Sequence, residues 1–343
     1  MTNGYNHLSP DILAVRFSAI GDVLLTTPLL RAIRVRHPGA RIAVLTKRQY
    51  VPLLSDNPYL NEVFGMAEDE RIGHVAEQIR SVNYSHILDL HGNLRTLALR
   101  CLAPGPWTSY SKRRIARAAL IATKRNFYGK VTPMAERYFE AAAGLDVWPD
   151  DSPPEFFLGH GVEDEVEDRL QKAGLGSAPA TVAIAPGAAH ATKRWAPLSW
   201  IELGKQLRKT GAEVVVVGGP GDAKLAQWIA KDIGEGAASV AGQLSLQETG
   251  AIIKRSAALI SADTGVMHMA TGVGTPVVGL FGPTVREFGF FPYKSKRAEV
   301  VELNLTCRPC SAQGSDRCPL GHHRCMKGIT PAAVLDALRA ALA

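Results

Sequence analysis

The sequence predicts an α/β protein made of two doubly wound domains in tandem. Three observations carry this. The chain has 343 residues, too many for one ordinary core and enough for two. In its first half, short β-rich runs alternate with helical stretches, the βαβ pattern of a parallel sheet covered on both faces. After a Pro- and Asp-rich stretch, "LDVWPDDSPPEFFLG" (145–159), the same alternation starts again. We place the domains at 1–155 and 156–343, facing each other across a central cleft.

The elements follow in order. "DILAVRF" (11–17) predicts a buried strand, and "PLLRAIRVRHP" (28–38) a helix with apolar residues inward and arginines outward. Thr27 and Pro28 form the better cap and first-turn pair for that helix, which leaves Asp22 free at the end of the first strand, although the helix could start as early as Ile20 with Asp22 as a cap. "ARIAVLTK" (40–47) is the next strand, "HVAEQIRSVN" (74–83) a helix, and "SHILDLHG" (85–92) a third strand ending in polar residues. In the second half, strands are predicted at 180–188, 212–222, 257–265 and 275–284, with helices at 199–211 and 224–234. A terminal helix, 330–342, starts at Thr330-Pro331 and is a candidate to pack back on the first domain.

Composition narrows the class. At 46% hydrophobic and 21% charged the chain is globular. No apolar run reaches the roughly 18 residues needed to cross a bilayer. The start, "MTNGYNHLSPD", has no basic segment and no apolar core of an export signal, so a cytoplasmic protein is expected. The net charge is +7, and between Arg95 and Arg137 ten Lys/Arg meet a single acidic residue, Glu136. Lys112, Arg113 and Arg114 are the heart of this run. It is either a solvated helix face or a docking surface for an anionic small molecule or anionic lipid headgroups. Nucleic acid is not the expected partner.

In doubly wound folds, ligands bind beyond the carboxyl ends of the strands. The residues there are Gly21 and Asp22 after the first strand, and Gly187 with Lys193 after the strand at 180. Asp222 follows the "VVVVGGPG" turn, where an acidic side chain reads ribose hydroxyls; its bland alternative is a helix cap. Asp263, Thr264 and Gly265 precede a helix whose free N–H groups favour an anion, and Asp263 and Thr264 are expected to cap it. His268 lies one turn into that otherwise apolar helix and is either a site residue or a core histidine. Lys193 would add a point charge for a diphosphate. The first strand is not followed by G-x-G-x-x-G, and no G-x-x-x-x-G-K-[ST], H-E-x-x-H or G-x-S-x-G is present. Hydride transfer, P-loop hydrolysis and nucleophile-elbow chemistry lose support.

Three blocks together, "FSAIGDVLLTTPLLRAIR", "ATKRWAP" and "ADTGVMHMATGVGTPVVGLFGPT", resemble glycosyltransferase family 9, the ADP-heptose:lipopolysaccharide heptosyltransferases. The resemblance runs from about Ile12 to Leu338, and the late block is its most specific part. It implies a GT-B fold, with the acceptor on the first Rossmann-like domain and the nucleotide-sugar on the second. It implies inverting transfer of heptose from ADP-heptose to the Kdo- and heptose-bearing lipopolysaccharide inner core, without a cofactor or a catalytic metal. By the same resemblance Asp22 is the general base, and Lys193 holds the diphosphate and stabilises departing ADP. It also puts Asp222, Asp263, Thr264, Gly265 and His268 at the donor site, where Gly187 is expected beside them at its strand end; for the acceptor side, Gly21 and the basic Lys112, Arg113 and Arg114 are expected from their place in the sequence. The family more often has glutamate where this chain has Asp222. The implied partners are ADP-heptose, an anionic lipid-linked sugar, and the inner leaflet of the inner membrane, on which the protein would lie peripherally. The alternatives are a GT-B transferase with another nucleotide-sugar, a related epimerase, or a binding protein without turnover.

Cys307-x-x-Cys310-x7-Cys318-x6-Cys325 surrounds His322 and His323 and has part of the character of a structural zinc site. Free thiols and a disulfide are the other outcomes.

Overall fold

A computed structural model of the chain describes residues 9–343, so most of the leader considered above (1–8) lies outside the described residues. The chain clusters into two compact units. The first holds the residues up to Lys112 together with Ala135–Asp151; the second holds Arg113–Met134 and Ser152–Ala343.

The first unit is built on one parallel sheet: β1 (Asp11–Val15), β2 (Arg41–Lys47), β3 (Glu62–Met66), β4 (His86–Asp89) and β5 (Trp107–Ser109), in the order β3-β2-β1-β4-β5. Its helices are α1 (Ile20–Leu24), α2 (Thr27–Arg36), α3 (Ile72–Ser81) and α4 (Leu94–Leu102). The central strands are apolar almost throughout because both faces are covered, as a parallel sheet requires. Leu13, Val15, Leu45 and Ile87 pack with Val75 and Ile79 of α3 and Leu99 of α4. The order reverses at β1, which pairs with β2 on one side and β4 on the other. The loops after β1 and β4 therefore leave in opposite directions and open a crevice between them.

Beyond β5 come α5 (Arg114–Thr123) and α6 (Met134–Arg137), the latter running into the 3-10 stretch Tyr138–Leu145. Residues 113–134, which sequence reading put with the first domain, cluster with the second unit. Three contacts tie them there: Lys124 Nζ donates to the Pro309 carbonyl (2.6 Å), Asn126 to Glu287 (3.2 Å), and Met134 N–H to the Gly289 carbonyl (2.9 Å).

The second unit repeats the plan with β6 (Thr181–Ala185), β7 (Glu213–Val216), β8 (Ala237–Ser239), β9 (Ala258–Ala262), β10 (Val277–Phe281) and β11 (Ala298–Glu302). The order is β11-β10-β9-β6-β7-β8. Counted from β6, this is the strand order of the dinucleotide-binding fold, with the reversal between β6 and β9. Its helices are α7 (Val162–Lys172), α8 (Pro197–Lys209), α9 (Ala223–Ile233), α10 (Leu246–Arg255), α11 (Gly265–Val273), α12 (Arg324–Lys327) and α13 (Pro331–Leu342). The core joins Val182, Val214, Ile260 and Leu280 of the sheet to Trp200 and Leu203 of α8, Ile229 of α9 and Val334 of α13. The terminal helix α13 is thus part of the second unit, packing on β9, β10, β11 and α8. The Pro-rich stretch after the boundary is held in the same unit. Phe156 donates its N–H to Gly272 (2.9 Å) and sits so close to Gly250 and Gly272 that a Cβ at either would overlap it.

Candidate active site

In the first unit the crevice between β1 and β4 gathers Asp22, Arg16, Tyr138 and His91. Asp22 does not stand free of capping, as the sequence suggested. The helix starts early, at Ile20, and Asp22 Oδ2 accepts the backbone N–H of Ala19 (3.2 Å). Thr27 makes no cap, because α2 continues the turn before it and the Thr27 hydroxyl donates to the Leu24 carbonyl (2.8 Å). Asp22 nevertheless reaches the crevice, where its Oδ1 meets Arg16 Nη2 at 2.6 Å and accepts from the Tyr138 hydroxyl at 3.5 Å.

Arg16 is itself pinned, since its Nη1 donates to the Leu90 carbonyl just after β4 (2.6 Å) and its guanidinium lies 5.7 Å from the Tyr138 ring centre. Burial works against the Arg16 charge, but Asp22, Tyr138 and Tyr110 outweigh it and hold the guanidinium protonated. Tyr138 is buried, and burial together with Asp22 pushes its hydroxyl well above the usual phenol range against the pull of Arg16, so it stays a donor. Tyr110 packs edge-on against it, with ring centres 5.0 Å apart.

His91 follows β4. Asp89 Oδ1 accepts the N–H groups of His91 (3.0 Å) and Gly92 (2.7 Å), an Asx-type turn that fixes the loop. The imidazole meets the Phe17 ring edge-to-face at 5.4 Å. Burial, then Arg16, Lys112 and Arg95, push its pKa down to about 3, with Asp22 opposing them. Of the expected acceptor residues, Gly21 is buried in α1, and the Lys112 side chain runs against Gly92. Arg113 (φ 50°) precedes α5 in the left-handed region and Arg114 opens that helix; both belong to the second unit, unlike Lys112.

In the second unit the crevice between β6 and β9 brings Lys193 and Asp263 together. Lys193 Nζ lies 2.7 Å from Asp263 Oδ2 and 3.2 Å from the Asp263 carbonyl. The Thr284 hydroxyl, after β10, donates to the same Oδ2 (2.6 Å). Asp263 and Thr264 do not cap α11 through their side chains, contrary to expectation. The Asp263 carboxylate turns to Lys193, and the Thr264 hydroxyl pairs with Ser261 (3.1 Å). Gly265 opens α11, and His268 is buried one turn in, 2% exposed. Asp222, after β7, accepts the Gly219 N–H (3.1 Å) and abuts Gly187 after β6, where any Cβ would overlap its carboxylate.

The segment carrying the four cysteines holds the Lys193 turn in place. Thr192 and Ser315 exchange hydrogen bonds: Thr192 N–H and Oγ1 donate to the Ser315 carbonyl (3.0 and 2.9 Å), and Ser315 N–H donates to Thr192 Oγ1 (2.8 Å). His323 Nε2 hydrogen-bonds the Thr192 carbonyl at 2.8 Å. Arg308 donates to the Gly282 carbonyl, to Thr284 O (2.8 Å) and to Glu302 (2.6 Å). Cys307, Cys310, Cys318 and Cys325 are all free thiols. Among the described residues no three His, Cys, Asp or Glu side chains are grouped to hold a metal ion. Within this segment it is Ser315 and His323 that brace the Lys193 turn.

Arg16, Tyr138, His91, Thr192, Thr284 and Arg308 escaped sequence reading as site residues. Arg16 had left a signal, a charge inside the apolar run "ILAVRF". The others reach the site only through pairings distant in sequence.

Residues 72–319 match the family model of glycosyltransferase family 9 (heptosyltransferase). Lipopolysaccharide heptosyltransferase 2 of Escherichia coli is 27% identical over 353 residues, covering 96% of this chain and 98% of its own. Lipopolysaccharide heptosyltransferase 3 of the same organism is 26% identical over 288 residues, covering 78% and 81%. Among solved structures, the E. coli ADP-heptose lps heptosyltransferase II superposes with a TM-score of 0.75 at 26% identity over 97% of this chain and 98% of that one. The family 9 glycosyl transferase of Veillonella parvula superposes at 0.79 with 20% identity, over 97% of both chains, and shows the fold.

Proposed function

The chain belongs to glycosyltransferase family 9, and from that premise we propose that it transfers heptose from ADP-heptose to the lipopolysaccharide inner core. The observation that carries this is the pair of crevices with complementary chemistry: a carboxylate clamped at the first switch point, and an ammonium at the second. Full-length similarity to the E. coli heptosyltransferases 2 supports the substrate class.

In this reading Asp22 takes the proton of the attacking hydroxyl on the acceptor. That oxygen forms a bond to the anomeric carbon of heptose as the bond from that carbon to the ADP oxygen breaks, with inversion. Lys193 moves its charge from Asp263 to the diphosphate as negative charge builds on the leaving group. This assigns the neutralisation to Lys193 and to the N–H groups before α11, with no metal or cofactor. In the same reading Asp222, beyond the end of the second strand of its sheet, takes the ribose hydroxyls, the position of the acidic residue in dinucleotide folds. Asp22→Asn should cut turnover by about a hundredfold or more with donor binding kept, the scale of a lost general base. ADP release from ADP-heptose with a deacylated inner-core acceptor reads it. Near-normal release from folded Asp22→Asn would remove the base role.

The same reading puts the protein on the inner leaflet. No helix among the described residues is long and apolar enough to cross a membrane. Instead α4 exposes Leu94 (84%) and Leu97 (54%) beside Arg95 and Arg100, a composition suited to an anionic interface. Leu94→Glu with Leu97→Glu should reduce co-sedimentation with phosphatidylglycerol-containing vesicles, while activity on a deacylated acceptor persists. Unchanged sedimentation would refute the surface role.

A further inference from the structure

His91 stands at the first switch point with no assigned part in the reaction. Its loop leaves β4 as the Asp22 turn leaves β1, so the two flank one crevice. The ring is unusual in how its two nitrogens are placed. Nδ1 is sealed from solvent with no hydrogen-bond partner. Nε2 makes no hydrogen bond among the described residues and is not sealed in, and the residue as a whole is only half-buried. A buried imidazole nitrogen left unbonded carries a cost, and such groups in native proteins call for an explanation.

The surrounding charges explain it. The charged groups acting on the ring are Arg16, Lys112 and Arg95, three cations, against one carboxylate, Asp22. A neutral ring that carries its proton on Nε2 avoids burying an unpartnered N–H at the sealed Nδ1, and it leaves Nε2–H as the donor open to a ligand. The rest of the ring is held by Phe17, over which Arg95 also lies, 5.7 Å from the ring centre. An outward neutral donor beside an excess of positive charge suits an oxygen-rich anion, and a sugar acid offers both hydroxyl and carboxylate oxygens.

We infer that His91 is an acceptor-binding residue, its Nε2–H donating to an oxygen of the anionic acceptor sugar beside the hydroxyl that faces Asp22. This rests on the reading of the first unit as the acceptor side. It names a contact that neither the motif blocks nor the residues expected from them include.

Three variants and one direct observation test it. His91→Phe keeps the packing on Phe17 and removes the donor. It should raise the acceptor KM about tenfold or more, with the donor KM within about twofold, the signature of a lost binding contact. His91→Gln and His91→Asn, which can place an amide N–H outward, should recover most of that loss. A purely structural histidine predicts the opposite split: Phe tolerated, with acceptor and donor KM moving together or not at all. That result overturns the inference. The direct observation needs no turnover. In protein with 15N-labelled histidine, the His91 Nε2 resonance should move on titration with a deacylated Kdo-bearing saccharide and stay put with ADP alone. No movement at saturating saccharide overturns the contact. Should the wild-type chain release no ADP with any heptose acceptor, the transferase reading falls, and the resonance titration still decides what His91 binds.

Discussion

Arg16 and Asp22 illustrate what a single strand position can hold. Arg16 is the one charge in the run "ILAVRF", and its side chain is only 8% exposed against 22% for Asp22. A charge so far from water is tolerated when its partners are fixed, and here the Leu90 carbonyl and the Asp22 carboxylate fix it. Removing one partner leaves the other uncompensated. Arg16→Gln should therefore cost about 3 kcal/mol of stability, and Asp22→Asn in the Arg16→Gln background should cost less than it does alone. Chemical denaturation of the four proteins in this cycle measures the coupling, and strict additivity would show that the pair does not act as a unit. Asp22 itself was legible from its place at a strand end. Its clamp was not, because Tyr138 comes from a segment 116 residues away.

The turn bearing Lys193 is only three residues of 3-10 helix, Ala191–Lys193, too short to hold itself. Its order comes from the segment around Ser315, 123 residues further on, through the reciprocal bonds of Thr192. Thr192→Val removes the hydroxyl and leaves the Ser315 N–H without its acceptor, at a cost of about 1–3 kcal/mol. We expect a raised donor KM with the acceptor KM unchanged, measured by varying each substrate in turn; equal changes in both would mean a global effect. Elements differ in how clearly the sequence announces them. β1, β2, β6 and β9 are apolar runs covered on both faces and were found. β3, β5, β8 and β11 lie at or next to sheet edges, are short or half-exposed, and carry no such run.

Over the whole molecule, acid stability follows from two kinds of site. His91 titrates near 3 in the folded chain but near 6.5 when unfolded, so between these values the unfolded state binds more protons. Stability therefore rises with pH across this window and is flat above about pH 7 for this group. Glu213 acts lower. Burial would raise its pKa, but the N–H groups of Gly176, Ser177 and Ala178 and the Ser177 hydroxyl outweigh burial and lower it. Its stabilisation is present above the unfolded carboxylate range and is lost as the pH falls through the folded value. Melting curves at pH 7 and pH 5 should show a smaller loss for His91→Gln than for wild type, because the Gln side chain takes up no proton in that window. Equal losses would mean that His91 titrates alike in both states.

The sequence by itself determined the fold class, the alternation of inner strands and helices in both halves, and the strand-end residues Asp22, Lys193, Asp222 and Asp263. Buried runs, helix periodicity and glycine turns are local properties, and in a doubly wound fold local order dictates which residues arrive at the sheet's carboxyl edge. Only the tertiary structure decided that Lys193 pairs with Asp263, that Arg16 clamps Asp22, that residues 113–134 join the second unit, and that the cysteine segment braces a turn. Each depends on groups more than sixty residues apart or on atoms sharing a volume, and nothing in a linear spacing encodes a distance across a sheet.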